Sequence, residues 1–297
     1  MPVGEFVFDA RADGPGGGPL VLLLHGFPQS SAAWRAQLPA LGEAGYRAVA
    51  PDQRGYSSRA RPERVEAYRA EHLVADVIAI ADWLGGHRFH LVGHDWGGVV
   101  GWLLTSRYPD RVRSFTSVSM PHPLAFAKAL ASTNDDQRLR SSYIRFFQQS
   151  ETPEQALLSG GGAGLRTVFA NIGLTDGEHV EEYVRLMSEP GAMTGAINWY
   201  RAIDVRLIKE LGPIVVPTLY VWSTQDIGLG REAAEATAEF VEGPYRFEVL
   251  EGVTHWIPEE APDVLNRLLL EHLATADRSK EAPAGPGGPA APGPQAQ

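Results

Sequence analysis

Gly93-His94-Asp95-Trp96-Gly97 carries a carboxylate at the place where a G-x-S-x-G turn carries a serine. The apolar run Phe89-His90-Leu91-Val92 precedes it and a helix-forming stretch follows. The expected local structure is strand, sharp turn, helix. Such a turn brings backbone segments close together, so small residues are needed two places to either side. It also lifts the central side chain out of the sheet beside a helix N-terminus, where negative charge is stabilised. A carboxylate is ionised at neutral pH and attacks saturated carbon without help from a base, leaving an ester on the enzyme. A plain helix N-cap aspartate is the competing reading of Asp95.

Two further residues extend the pattern. His255 lies in "EGVTHWIPEEAP", between the last strand-like run and the final helix, and Asp226 lies in "VWSTQDIGLG", after the preceding strand. Nucleophile, acid, histidine is the chain order of an α/β-hydrolase triad. A carboxylate bonded to the histidine fixes its tautomer and stabilises the imidazolium. The loop His25-Gly26-Phe27-Pro28-Gln29-Ser30 also follows an apolar strand, so the Phe27 amide, with that of Trp96, is the expected oxyanion hole. His25 is read as a brace for that loop, and Asp52 and Arg54 as structural ions. With no cysteine in the chain, thiolate chemistry and cysteine metal sites are excluded. The chemistry calls for neither metal nor organic cofactor.

These residues need elements to hold them. Strand signals occur at "EFVFDA", "PLVLLLH", "YRAVAPD", "RFHLVG" and "SFTSVSM". Leu73, Val77, Ile80 and Leu84 mark a helix that ends at Gly85-Gly86. From about His122 to Gly212 the pattern is helical and irregular, with a glycine-rich turn at "SGGGAGL". Strands return at "IVVPTLYVW" and "YRFEVLE", and the amphipathic "APDVLNRLLLEHL" closes the fold. The expected architecture is α/β: a mostly parallel sheet with helices on both faces and an inserted helical cap over the strand ends. The segments are a core part over 1–121, a cap over 122–212, a second core part over 213–275, and a disordered Pro/Ala/Gly-rich tail over 276–297. No G-x-G-x-x-G follows the first strand, which disfavours a nucleotide-binding fold.

A net charge of -10 argues against nucleic-acid binding. No basic-then-apolar leader and no membrane-spanning run appear, so a cytoplasmic protein off the membrane is expected. Ala, Gly, Arg and Pro usage points to a bacterial source. The oligomeric state is open, and a homodimer is compatible with it.

His25-Gly26-Phe27-Pro28, Asp52-Gln53-Arg54-Gly55-Tyr56-Ser57 and Gly93-His94-Asp95-Trp96-Gly97-Gly98, with Asp226 and His255, resemble the α/β-hydrolase-fold epoxide hydrolases. In the cap, Asn198-Trp199-Tyr200-Arg201 is similar to the segment that carries one epoxide-polarising tyrosine, and "SSYIRFFQQ" points to Tyr143 as the second. The resemblance covers the chain except its tail. It implies that Asp95 opens an apolar epoxide to an enzyme ester, which water activated by His255 hydrolyses to a diol. Phe27, Trp96, Phe146, Met193 and Trp199 are the expected substrate wall. Two alternatives stay open. A haloalkane dehalogenase would use the same Asp95, His255 and Asp226, with Trp96 and Trp199 as halide donors. A catalytically silent ligand-binding protein would keep the fold alone.

Overall fold

The computed structural model describes residues 1–134 and 136–281. Its frame is a seven-stranded sheet of β1 (Ala10–Asp13), β2 (Leu20–Leu24), β3 (Arg47–Pro51), β4 (Phe89–His94), β5 (Val112–Val118), β6 (Thr218–Ser223) and β7 (Tyr245–Leu250). The spatial order is β1-β3-β2-β4-β5-β6-β7, and every pairing is parallel except that of edge strand β1. β2 and β4 are buried along their whole lengths, which is why their sequences read as continuous apolar runs rather than alternating ones. The strand expected at "EFVFDA" is instead split into a short pairing of Pro2–Val3 with Phe6–Val7, followed by β1. All four residues of β1 are exposed, so it is held by ladder hydrogen bonds to β3 and leaves no burial pattern in the sequence.

Helices α1 (Gln37–Glu43), α2 (Ala70–Trp83) and α3 (Trp96–Arg107) follow β2, β3 and β4. The chain steps outward from β2 to β3, then returns past β2 to β4. Right-handed crossovers therefore put α1 and α2 on opposite faces, and a crevice opens between the ends of β2 and β4. The loop after β2 and the turn after β4, which carry Phe27 and Asp95, leave the sheet at that crevice.

Between β5 and β6 the chain forms α4 (Pro123–Ala131), α5 (Asp136–Arg140), α6 (Tyr143–Phe147), α7 (Thr152–Ile172), α8 (Gly177–Met187), α9 (Ala192–Arg201) and α10 (Val205–Lys209). The glycine-rich turn is a sharp break inside α7: Gly160, Gly161 and Gly162 have φ of 57, 66 and 87°. Only glycine takes three such angles in succession without strain. α11 (Arg231–Ala236) joins β6 to β7, and α12 (Ile257–Glu260) and α13 (Pro262–Glu281) end the described chain. α13 overruns the expected boundary at residue 276. Its Ala, Arg and Lys residues favour helix, Ala276 is buried, and Asp277 accepts hydrogen bonds from Tyr46 and Arg113. The rest of the expected tail, 282–297, lies outside the described residues. Among the described residues no helix is long and apolar enough to cross a membrane.

The turn after β4 is tightly enclosed. A Cβ on Gly93 would collide with the Gly97 carbonyl, and one on Gly97 with the Leu24 carbonyl, whereas one on Gly177 would meet open space. Gly97→Ala is expected to lower stability by about 2–3 kcal/mol, the cost of overpacking a rigid backbone contact. Gly177→Ala should stay within about 0.5 kcal/mol of the parent protein. Urea unfolding of the two variants measures both; equal midpoints would show that the turn relaxes.

Candidate active site

Asp95 has φ 49° and ψ −118°, a region in which a residue bearing a Cβ is strained. Its side chain does not cap α3. Oδ1 instead accepts the Phe27 N–H at 2.9 Å, and the Trp96 N–H also bonds the carboxylate. The reading of Asp95 as an ordinary N-cap is thereby set aside. Burial pushes its pKa up, while the positive charge on His255 and the two amides act in the opposite direction.

The other carboxylate oxygen, Oδ2, lies 3.8 Å from His255 Nε2. His255 Nδ1 is 2.8 Å from Asp226 Oδ2, and Asp226 Oδ1 accepts the N–H groups of Gly228 and Leu229 at 2.8 and 3.0 Å. Burial works against charge on His255, but the carboxylates of Asp226 and Asp95 outweigh it and raise the pKa to about 9. An imidazole held between two carboxylates, its Nε2 turned to one of them, can pass a proton to or from that side.

Asp95 and His255 open into a cavity of about 300 Å³. Tyr143, on α6, and Tyr200, on α9, line it from the helices between β5 and β6. Their rings meet with centroids 6.1 Å apart, each phenol feels the other, and Tyr200 stands edge-on against Trp96. Burial first, then nearby negative charge including that of Asp95, drives both phenol pKa values up, so both hydroxyls remain protonated donors. Tyr143 is 38% exposed, yet its hydroxyl still feels the charges of Asp95 and Asp226. The remaining wall is mostly apolar, with Phe27 and Phe146 among it as expected.

Three expected wall residues are placed elsewhere. Trp199 is buried outside the cavity and donates its indole N–H to the Arg54 carbonyl at 2.9 Å, so it cannot serve as a halide donor. Met193 faces inward on the same helix and is buried in the hydrophobic core, as is Met187 on α8. The Trp96 side chain stands edge-on against Tyr200, centroids 5.0 Å apart, and only its amide faces Asp95. Helical rotation decides which face each residue takes, and a single sequence does not set it. The cavity instead takes Leu157, Val168 and Ile172 from the two arms of α7, with Trp256 beside His255. The glycine run between the α7 positions was the signal that those arms fold back on one another.

The bracing residues stand as expected. His25 Nδ1 bonds the Gly26 carbonyl, its Nε2 accepts the Gln53 N–H, and burial lowers its pKa to about 4. Arg54 forms a bidentate pair with Asp76, and Asp52 accepts the Ser31 N–H. A buried polar chain behind Asp95 and His255 has no counterpart in the sequence reading. His94 lies between the Gln29 amide, at 2.8 Å, and the His255 carbonyl, at 2.9 Å. Gln29 also donates to Glu259, which accepts from Tyr183 of α8 and has its pKa pushed up by burial to about 7.

Residues 19–262 match the family model of the alpha/beta hydrolase fold. The AB hydrolase superfamily protein YfhM of Bacillus subtilis is 36% identical over 86% of this chain and 90% of its own length. Epoxide hydrolase 4 of Mus musculus is 35% identical over 91% of this chain and 77% of its own. Among solved structures, an epoxide hydrolase of Bacillus megaterium in complex with an inhibitor superposes with TM-score 0.83 at 27% identity, covering 92% of this chain and 99% of that one. Taken with the strained Asp95 turn and the cavity above it, these similarities show that the chain belongs to the alpha/beta hydrolase fold family and, within it, to the epoxide hydrolases.

Proposed function

We propose that this protein hydrolyses an apolar epoxide to a vicinal diol in two steps through an ester on Asp95. One observation carries the reading: Oδ1 of Asp95 is held by the Phe27 amide, the Trp96 amide also bonds the carboxylate, and Oδ2 is turned toward His255, whose far nitrogen rests on Asp226. In the first step Oδ2 attacks a ring carbon and the ring C–O bond breaks. The electron pair goes to the ring oxygen, which takes a proton from the Tyr143–Tyr200 pair. In the second step water adds to Cγ of Asp95 and gives a proton to His255 Nε2. The resulting oxyanion forms on Oδ1, already in its amide pocket. Collapse breaks the Cγ–Oδ2 bond, His255 gives its proton to the departing oxygen and frees the diol, and the acid left on Asp95 passes its proton to the tyrosinate, so that carboxylate, imidazole and phenol are all restored.

Oδ2 thus leaves with the diol and is replaced from water. A single turnover in ¹⁸O-labelled water should put the label into Asp95, read by mass spectrometry of its peptide, and not into the diol. Label in the first-turnover diol would sink the ester route. Asp95→Ala should form no diol. Tyr143→Phe and Tyr200→Phe should each slow ester formation roughly a hundredfold, the usual share of a positioned acid. An unchanged rate in both would make them packing residues.

The charges also fix a pH dependence. The Asp95 carboxylate helps to raise His255 to about 9 in the free enzyme, and esterification removes that charge. The His255 pKa in the ester is therefore lower than about 9, and the neutral base is present above it. Ester hydrolysis should rise with pH and level off once His255 has lost its proton, while at lower pH the ester should accumulate. Rapid-quench measurement of the Asp95 adduct checks the sign; an ester that decays faster at acidic pH would exclude His255 as the base.

A further inference from the structure

We propose that Gln137 and Arg140, both on α5, are positioning residues for Asp226, holding the outer side of its loop so that the carboxylate stays aimed at His255. The proposal rests on the reading of His255 as the base of the second step. On the inner side of the loop, Asp226 Oδ1 accepts the Gly228 and Leu229 N–H groups. On the outer side, Arg140 Nη1 donates to the Asp226 carbonyl at 2.7 Å and Gln137 Nε2 donates to the Gly228 carbonyl at 2.8 Å. Gly230 N–H donates back to Gln137 Oε1 at 2.8 Å.

The Gly228 carbonyl and the Leu229 N–H belong to one peptide unit. That unit is planar and trans, so its C=O and N–H point in opposite directions. Fixing the carbonyl on Gln137 therefore fixes the N–H on Asp226. Gly228 has no side chain with which to set its own backbone angles, so the restraint has to come from outside the loop. Residues three apart share a helix face, and α5 presents both donors to one loop. Gln137 is 3% exposed and has a further partner in Ser141, at 2.9 Å, so its amide is held in place away from competing water. Arg140 is braced by Asp136 at 2.8 Å and also forms part of the cavity wall. A helix of the inserted segment thus touches substrate space and the triad acid together.

The test follows ester formation and ester decay separately, using styrene oxide as the probe and rapid-quench mass spectrometry of the Asp95 peptide. Gln137→Met should form ester at close to the parent rate and hydrolyse it about tenfold more slowly, in line with loss of an outer support to a reactive group. The pH at which hydrolysis levels off should move down, because a loosened Asp226 supports the imidazolium less. Arg140→Met, which also changes the cavity wall, should lower the ratio of ester hydrolysis to ester formation and move the levelling-off pH down, and Arg140→Lys should recover most of that ratio. Equal slowing of both steps with an unmoved pH profile, or no change in either, would overturn the clamp. His255→Ala in the same assay separates the two readings: if it accumulates no ester, the underlying mechanism fails and the clamp with it. If it does accumulate ester while both α5 variants hydrolyse normally, only the clamp fails.

Discussion

There is almost no space around Asp95, and the rest of the site follows from that. The elbow holds a residue with a Cβ at φ 49°, which costs on the order of 1–3 kcal/mol. Hydrogen in place of a side chain at Gly93 and Gly97 lets the turn close against the end of β2, and Gly26 on the neighbouring loop is pressed against the Asp95 side chain itself. That same closeness aims the Phe27 N–H at Oδ1. The amide pocket is therefore a consequence of how tightly two adjacent strands end, at the point where the sheet changes its direction of winding.

Charge in this confined space is managed by pairing. Burial opposes ionisation of Asp95 and of His255, and each stabilises the charge on the other, with Asp226 tipping the histidine toward the imidazolium. In the proposed reaction the covalent step neutralises one carboxylate and so releases the histidine to act as a base. The change in protonation state is driven by the chemistry itself. Behind this group, Gln29, His94 and Glu259 tie together the loops that carry Phe27, Asp95 and His255, and Tyr183 joins that tie to α8.

The strands and the inserted helices divide the work. Loops leaving β2, β4, β6 and β7 supply the amide, the carboxylates and the imidazole, while α6 and α9 supply two phenols whose rings meet at the cavity wall. The three-glycine break in α7 folds that helix so that residues from both of its arms reach the same apolar wall. Helix α5 reaches back to the Asp226 loop, so the inserted segment and Asp226 are not mechanically separate.

Much of this was legible in the residues alone. A glycine-flanked carboxylate after an apolar strand, followed by an acid and a histidine in order, pointed to the three side chains that the fold brings together, because the tight turn needs small residues on either side. The continuous apolar runs of β2 and β4 marked strands covered on both faces. Other features carried no local signature. β1 pairs through backbone groups alone, and α13 continues past the expected boundary because Ala276 and Asp277 find partners on the core. Trp199 and Met193 share a helix with Tyr200, yet only Tyr200 reaches the cavity. Their rotation about the helix axis is set by what α9 packs against. Likewise no motif announced Gln137 or Arg140. Their part depends on hydrogen bonds to peptide groups some ninety residues away, and only tertiary packing brings such groups within reach.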